Sequence, residues 1–153
     1  MSLEMVTKWF GLDWSQRLVL SEATCYLTAA HSAVRLLPFR WTAARLGRLG
    51  SEAIERPISP EQRHQAQQVG WAVTALARRF PWDAKCLSQA VAGKWMLQRR
   101  GLPSVLYLGV DRGGGEKEWL EAHAWLRCGD DFVTGEQQHG RFKVLATFSE
   151  DRP

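Results

Sequence analysis

Three side chains in this sequence have the types and order needed for acyl chemistry: Cys86, His123 and Glu136. Cys86 ends the run Arg79-Phe-Pro-Trp-Asp-Ala-Lys-Cys86, and the residues after it read as a helix. Unpaired N–H groups and the macrodipole at a helix start favour negative charge, and reactive thiolates sit at such positions. His123 lies in Glu121-Ala-His-Ala-Trp125, which alternates like a strand. A histidine carried by a strand can move the proton that a sulfur nucleophile needs moved. The expected arrangement is thiol and imidazole at hydrogen-bonding range across a helix–sheet junction.

The elements that must hold these groups can be read in chain order. From Trp14 to Leu37, Leu20, Ala23, Leu27, Ala30, Val34 and Leu37 recur at helical spacing, with Asp13 or Ser15 at the start and Pro38 at the stop. Phe39 to Leu49 is short, basic and amphipathic, and reads as a surface helix with a solvated face, the alternatives being a segment that rests on a membrane surface or grips an acidic partner. Gly50, Ser51, Pro57 and Pro60 mark a loop. A third helix is expected from Ser59 to Arg79, opened by Ser59-Pro-Glu-Gln and buried along Val69, Ala72, Val73, Leu76 and Ala77. His64 falls in a polar run and reads as exposed. Asp83 is the expected N-cap of the cysteine helix, which ends at Arg100 before Gly101 and Pro103. Ala90 and Gly93 lie on the cysteine side, small enough to let a sheet come close.

Val105 to Val110 reads as a strand buried on both faces, followed by the turn Asp111-Arg-Gly-Gly-Gly115. From Trp119 to Cys128 one face is apolar: Leu120, Ala122, Ala124, Leu126 and Cys128. The other carries Trp119, Glu121, His123, Trp125 and Arg127. Gly129-Asp130 fits a two-residue hairpin turn. In that register Cys128 faces Asp131, Leu126 faces Val133 and His123 faces Glu136, whose carboxylate would orient the imidazole. A turn one residue longer would bring Gln137 there instead. Phe142, Val144, Ala146 and Phe148 alternate as a last strand.

The bulk numbers narrow the classes. At 153 residues, 45% hydrophobic and 24% charged, one domain over residues 1–153 is expected, helical over about 14–79 and catalytic over about 80–150. The net charge of +4 comes from scattered arginines, so no nucleic acid partner is expected. Cys25, Cys86 and Cys128 are odd in number and irregular in spacing, which argues against a disulfide framework or a zinc site. Cys25 and Cys128 read as inert core residues. No signal peptide and no apolar run of spanning length is visible, so a cytoplasmic protein without an integral membrane segment is expected.

Cys86 at a helix start, then a strand, then Ala122-His-Ala-Trp125, resembles the transglutaminase-like branch of the papain-type cysteine enzymes. Pro81-Trp82, Cys86-Leu87, Gln98-Arg-Arg-Gly-Leu-Pro103 and Arg35-Leu-Leu-Pro-Phe-Arg40 resemble the stand-alone leader peptidases of lasso-peptide biosynthesis. The resemblance implies an α+β fold with a helical N-terminal half, the cysteine opening a helix packed on a small antiparallel sheet. It implies Cys86 as nucleophile and His123 as base and acid, with no metal or organic cofactor. The family carries an aspartate as third member on the strand after the histidine. No aspartate occupies the facing position here; Glu136 is the substitute offered by the derived register, and Asp131 or Asp130 serve if the hairpin is built differently. The backbone N–H of Cys86 is the expected oxyanion donor, with the Trp82 indole as a second donor or else an apolar buttress. The implied partners are a precursor peptide, a separate leader-recognition protein and the lasso cyclase. Two other readings share these residues: acyl transfer or deamidation by the same dyad, and a binding module that kept the fold without catalysis.

Overall fold

The computed structural model describes residues 10–50, 56–112, 120–137 and 139–150. The start Met1-Ser-Leu-Glu-Met5, Ser51, the glycines Gly113 to Gly115 and Trp119 lie outside them. Helix α1 (Trp14–Leu36) starts where Asp13 N–H donates to Gln16 Oε1 at 3.1 Å, and it buries Leu20, Ala23, Leu27 and Ala30 as its spacing predicts. Leu37 is exposed and Val34 only half-buried, because the chain turns away at Pro38. Cys25 is also exposed, contrary to its reading as a core residue. Two residues past Ala23 is a rotation of about 200°, which carries its side chain to the outer face.

The basic segment is not one helix. It forms α2 (Phe39–Ala43) and a short edge strand β1 (Arg48–Gly50) paired with the last strand. Helix α3 (Pro60–Ala77) opens with a reciprocal cap: Gln62 N–H donates to Ser59 Oγ at 3.2 Å and Ser59 N–H to Gln62 Oε1 at 2.9 Å. Helix α4 (Cys86–Arg99) ends in a Schellman turn through Gly101, φ +66°, with Gly101 N–H on the Gln98 carbonyl and Leu102 N–H on the Leu97 carbonyl, both 3.0 Å. The Arg100 guanidinium grips Glu22 of α1 with both arms, at 2.9 and 2.6 Å.

The sheet contains β1, β2 (Val105–Arg112), β3 (Leu120–Cys128), β4 (Asp131–Thr134) and β5 (Lys143–Ser149), in the order β1-β5-β2-β3-β4 with every pair antiparallel. This is the α+β layout that the resemblance implies. The helices cover one face, where Leu106, Ala124, Leu126, Cys128 and Phe148 join the main core. A Cβ on Gly93 would stand 2.8 Å from Leu126 Cδ2, so α4 approaches β3 as closely as its small residues predict. The other face holds a smaller cluster of Val105, Tyr107, Trp125 and Phe142. Strand β2 is therefore covered on both sides, as its apolar run suggests. Ala122 is exposed, because the start of β3 runs out beyond the helices.

Two irregularities in the ladder decide where the site's neighbours fall. Between β2 and β5 the pairing shifts after Leu108↔Ala146 to Gly109↔Val144, leaving Leu145 over. The extra residue reverses the alternation. Phe148 points into the main core while Phe142 points to the opposite face, although the even spacing puts both on one side. Between β3 and β4, Cys128↔Asp131 and Arg127↔Phe132 hold, but Leu126 faces Thr134 instead of Val133.

Lys94 of α4 is fully buried, which its apolar neighbours do not announce. Its Nζ donates to the Ser104 carbonyl at 2.5 Å and to Ser104 Oγ at 3.1 Å, and lies 3.2 Å from Glu150 Oε1. This pins α4 to the strand ends on either side. Burial holds the Lys94 ammonium below its ordinary pKa, with Glu150 opposing. Burial likewise pushes the nearby Cys128 thiol from 9.0 up to about 11, helped by the Asp131 and Glu150 carboxylates and opposed by Lys94. An unfolded chain ionises this thiol from pH 9 upward while the folded chain keeps its proton. The folded state then binds more protons, so stability falls as pH rises from 9 toward 11 and is unaffected below that window. Depression of Lys94 acts in the opposite direction. Cys128→Ala is expected to flatten the alkaline loss, measured by urea unfolding at pH 8, 9, 10 and 10.5 against the parent chain. An equal slope in both would exclude the buried thiol as its source.

Candidate active site

A cleft of about 540 Å³ opens between the end of α3, the start of α4 and the chain that leaves β4. Cys86 and His123 both line it, together with Arg78, Asp83, Gln89 and Glu136.

Cys86 is half-buried and is the first residue of α4. Its N-cap is Lys85, not Asp83; the Lys85 N–H closes a turn onto the Asp83 carbonyl at 3.0 Å and carries the helix start two residues further on. No side chain caps this end. The N–H groups of the first turn, which have no helical partners, are thus left for a ligand oxygen beside the sulfur. Gln89, one turn later, braces the entry by donating Nε2–H to the Ala84 carbonyl at 2.7 Å.

His123 is half-buried on β3, on the face away from α4. Its ring rests on Phe142 (centroids 4.9 Å apart, planes at 32°) and on Trp125 (5.8 Å, 24°). The bulge in β5 is what supplies Phe142 beneath it. The ring reaches the cleft at the sheet's open edge, because β4 stops at Thr134 and leaves this stretch of β3 unpaired. There Nε2 lies 2.9 Å from the carbonyl oxygen of Gly135. A carbonyl only accepts, so Nε2 carries the proton, and in the neutral ring Nδ1 keeps its lone pair. Nδ1 is the nitrogen left to take up or release a proton. Cys86 and His123 come from opposite faces of the sheet into one cleft, but no hydrogen bond joins them. The expected hydrogen bond between thiol and imidazole is not formed in this geometry. Such contacts commonly tighten only around substrate.

The pairing of His123 with Glu136 does not form. The extra residue at Val133 shifts the register by one, and Gly135, at φ +74°, turns the chain out of the strand before Glu136 is reached. Glu136 lines the cleft and is exposed; its carbonyl, not its carboxylate, is used, accepting from His139 Nδ1 at 2.7 Å. Gln137 also lines the cleft. Asp131 pairs with Cys128 and lies 3.4 Å from Arg63 Nε, while the carbonyl of Asp130 accepts from Arg127. Both sit at the hairpin turn, about five residues or 17 Å along the strand from His123. Trp82 is not part of the cleft wall; its ring packs against Phe80 at 4.7 Å and His31 at 5.6 Å, which is the buttress reading.

Sequence reasoning missed Gly135, Gln89 and Arg78. A backbone carbonyl has no side-chain signature, and only the glycine after Thr134 hints that the strand breaks there. Among the described residues no three His, Cys, Asp or Glu side chains gather to hold a metal, and no helix is long and apolar enough to cross a membrane.

Residues 33–147 match the family model described as the transglutaminase-like superfamily. No curated protein and no solved structure matches the chain. A family match from the end of α1 through most of β5, over an α+β fold whose cysteine opens a helix beside a strand histidine, leads to one conclusion: the chain belongs to the transglutaminase-like superfamily.

Proposed function

We propose that this protein is a cysteine peptidase that removes the leader from a lasso-peptide precursor. The observation that carries the reading is the shared cleft of Cys86, on the uncapped start of α4, and His123, with its Nε2–H tied to Gly135. The motifs Pro81-Trp82, Gln98 to Pro103 and Ala122 to Trp125 support the choice of substrate.

In this mechanism Cys86 gives its thiol proton to His123 Nδ1, and the Sγ thiolate attacks the scissile carbonyl carbon. The developing oxyanion sits against the free N–H groups of the first turn of α4, including that of Cys86. His123 Nδ1 delivers its proton to the leaving amine, the C–N bond breaks, and a thioester remains. Water, deprotonated by the same nitrogen, then releases the acid and restores the thiol. The Gly135 carbonyl holds the ring in one tautomer throughout. A separate leader-recognition protein presents the precursor, and the cyclase takes the freed core.

The superfamily includes cysteine peptidases and acyltransferases, and the two differ only in what attacks the thioester. The test is to incubate the protein with candidate leader–core peptides, with and without a leader-binding protein and a primary amine, and to weigh the products by mass spectrometry. Free leader and core in the presence of amine support the peptidase. An amine adduct in place of hydrolysis would assign the protein to acyl transfer, and unchanged peptide in every arm would end the enzyme reading.

A further inference from the structure

The cleft does not end at Cys86. A second cavity of about 400 Å³ shares Thr74, Arg78, Phe132 and Val133 with it, and a third of about 270 Å³ shares Gln67 and Trp71 with the second. Together they make one trough that crosses the outer side of α3, from Gln16 and Val19 of α1 to Phe132 and Val133 of β4. Its floor follows His64, Gln67, Trp71, Thr74 and Arg78, spaced three and four apart and hence on a single helix face. From His64 to Arg78 the helix rises about 21 Å. An extended chain covers that with about six residues at roughly 3.3 Å each.

The lining has the chemistry of a peptide site. His64, Gln67, Gln68 and Thr74 offer donors and acceptors to a main chain without regard to its side chains. Trp71 stands at the junction of two cavities, 42% exposed, with no ring or cation partner among the described residues. An indole facing solvent between two cavities is the type of group on which binding energy concentrates. The trough is closed behind by tight packing: a Cβ on Gly70 would fall 2.5 Å from the Val133 carbonyl, so α3 is pressed against β4 and cannot part from it cheaply.

We infer that this trough holds an extended segment of the polypeptide substrate, with an aromatic or large aliphatic side chain seated on Trp71. The inference rests on the reading of Cys86 as the reacting residue, since it is the continuity with that cleft that names the occupant. Arg78 to Trp71 is two helical turns, about 10.5 Å, so the seated side chain lies at least three residues from the bond at Cys86. The selectivity is for one apolar position at a distance from the reacting bond, with the residues between held through their backbone.

The experiment uses the full chain carrying Cys86→Ala, and a displayed library of random linear twelve-residue peptides as the probe. Selected peptides are then titrated by fluorescence polarisation against three proteins: Cys86→Ala alone, with Trp71→Ala, and with Trp41→Ala as an exposed control that lines none of the three cavities. Selected peptides should share one aromatic or large aliphatic position. Trp71→Ala should weaken them at least tenfold, Trp71→Phe should restore part of the loss, and Trp41→Ala should change nothing. Recovery of no peptide, of peptides without a shared apolar position, or of peptides indifferent to Trp71→Ala overturns the trough. The selected peptides are also offered to the parent enzyme. Binding through Trp71 without cleavage leaves the trough standing and removes the peptidase reading. Cleavage that ignores Trp71 does the reverse.

Discussion

Cys86→Ala is expected to abolish cleavage of a precursor peptide, with a loss in rate on the order of 10⁴-fold or more, the scale seen when a nucleophile is removed from a working constellation. Cys86 is half-buried and opens α4 without capping it, so alanine, a better helix former, should leave the fold intact. Thermal unfolding followed by circular dichroism separates lost chemistry from lost structure. His123→Ala should cost a similar factor, and the double variant little more than either single one, because groups that act as a unit do not add. A thiol-directed alkylating reagent should label Cys86 at a rate that falls in His123→Ala. Retained cleavage in Cys86→Ala would remove the sulfur from the reaction altogether.

The second large effect concerns the group that holds the imidazole. Gly135→Ala is expected to lower kcat/KM by about 100-fold, the cost assigned to roughly 1 Å of misplacement at a reacting centre. Gly135 sits at φ +74°, and an added Cβ would come within 2.6 Å of the Ala124 carbonyl oxygen and 2.8 Å of Trp125 Cβ. Both are parts of β3 that cannot swing aside, so the Gly135 peptide must move and its carbonyl must leave Nε2. Glu136→Gln, one residue on, removes only an exposed charge from the cleft wall and is expected to change kcat/KM less than about twofold, since exposed charges are worth little. Long-range ¹⁵N–¹H correlation on the His123 ring gives a readout that folding alone does not supply. The parent chain should show the Nε2–H tautomer, and Gly135→Ala a mixture. A collapse of activity in Glu136→Gln, or an Nδ1–H tautomer in the parent chain, would return the orienting role to the carboxylate.

These two residues also mark the limit of what can be read along the chain. Determined by sequence alone was everything carried by neighbours within a turn or a hairpin. The Ser59-Pro-Glu-Gln cap, the glycine stop at Gly101, the Gly129-Asp130 turn with Cys128 opposite Asp131, and a cysteine in the first turn of its helix all follow from local hydrogen bonding and local backbone preference. So does the division of β3 into an apolar face and the face that carries His123. The α+β class came from the resemblance that those residues carry.

Only the tertiary structure decided what stands next to what. One extra residue at Val133 moved Glu136 out of line with His123, and one at Leu145 brought Phe142 under the imidazole. Bulges answer to the neighbouring strand, which a periodicity along one strand does not contain. The apolar run of α4 did not say that Lys94 is buried against Ser104 and Glu150. The hydrogen-bond partner of the His123 ring stayed hidden for the same reason. It is a main-chain oxygen, present at every residue, and only the turn at Gly135 aims this one at the ring.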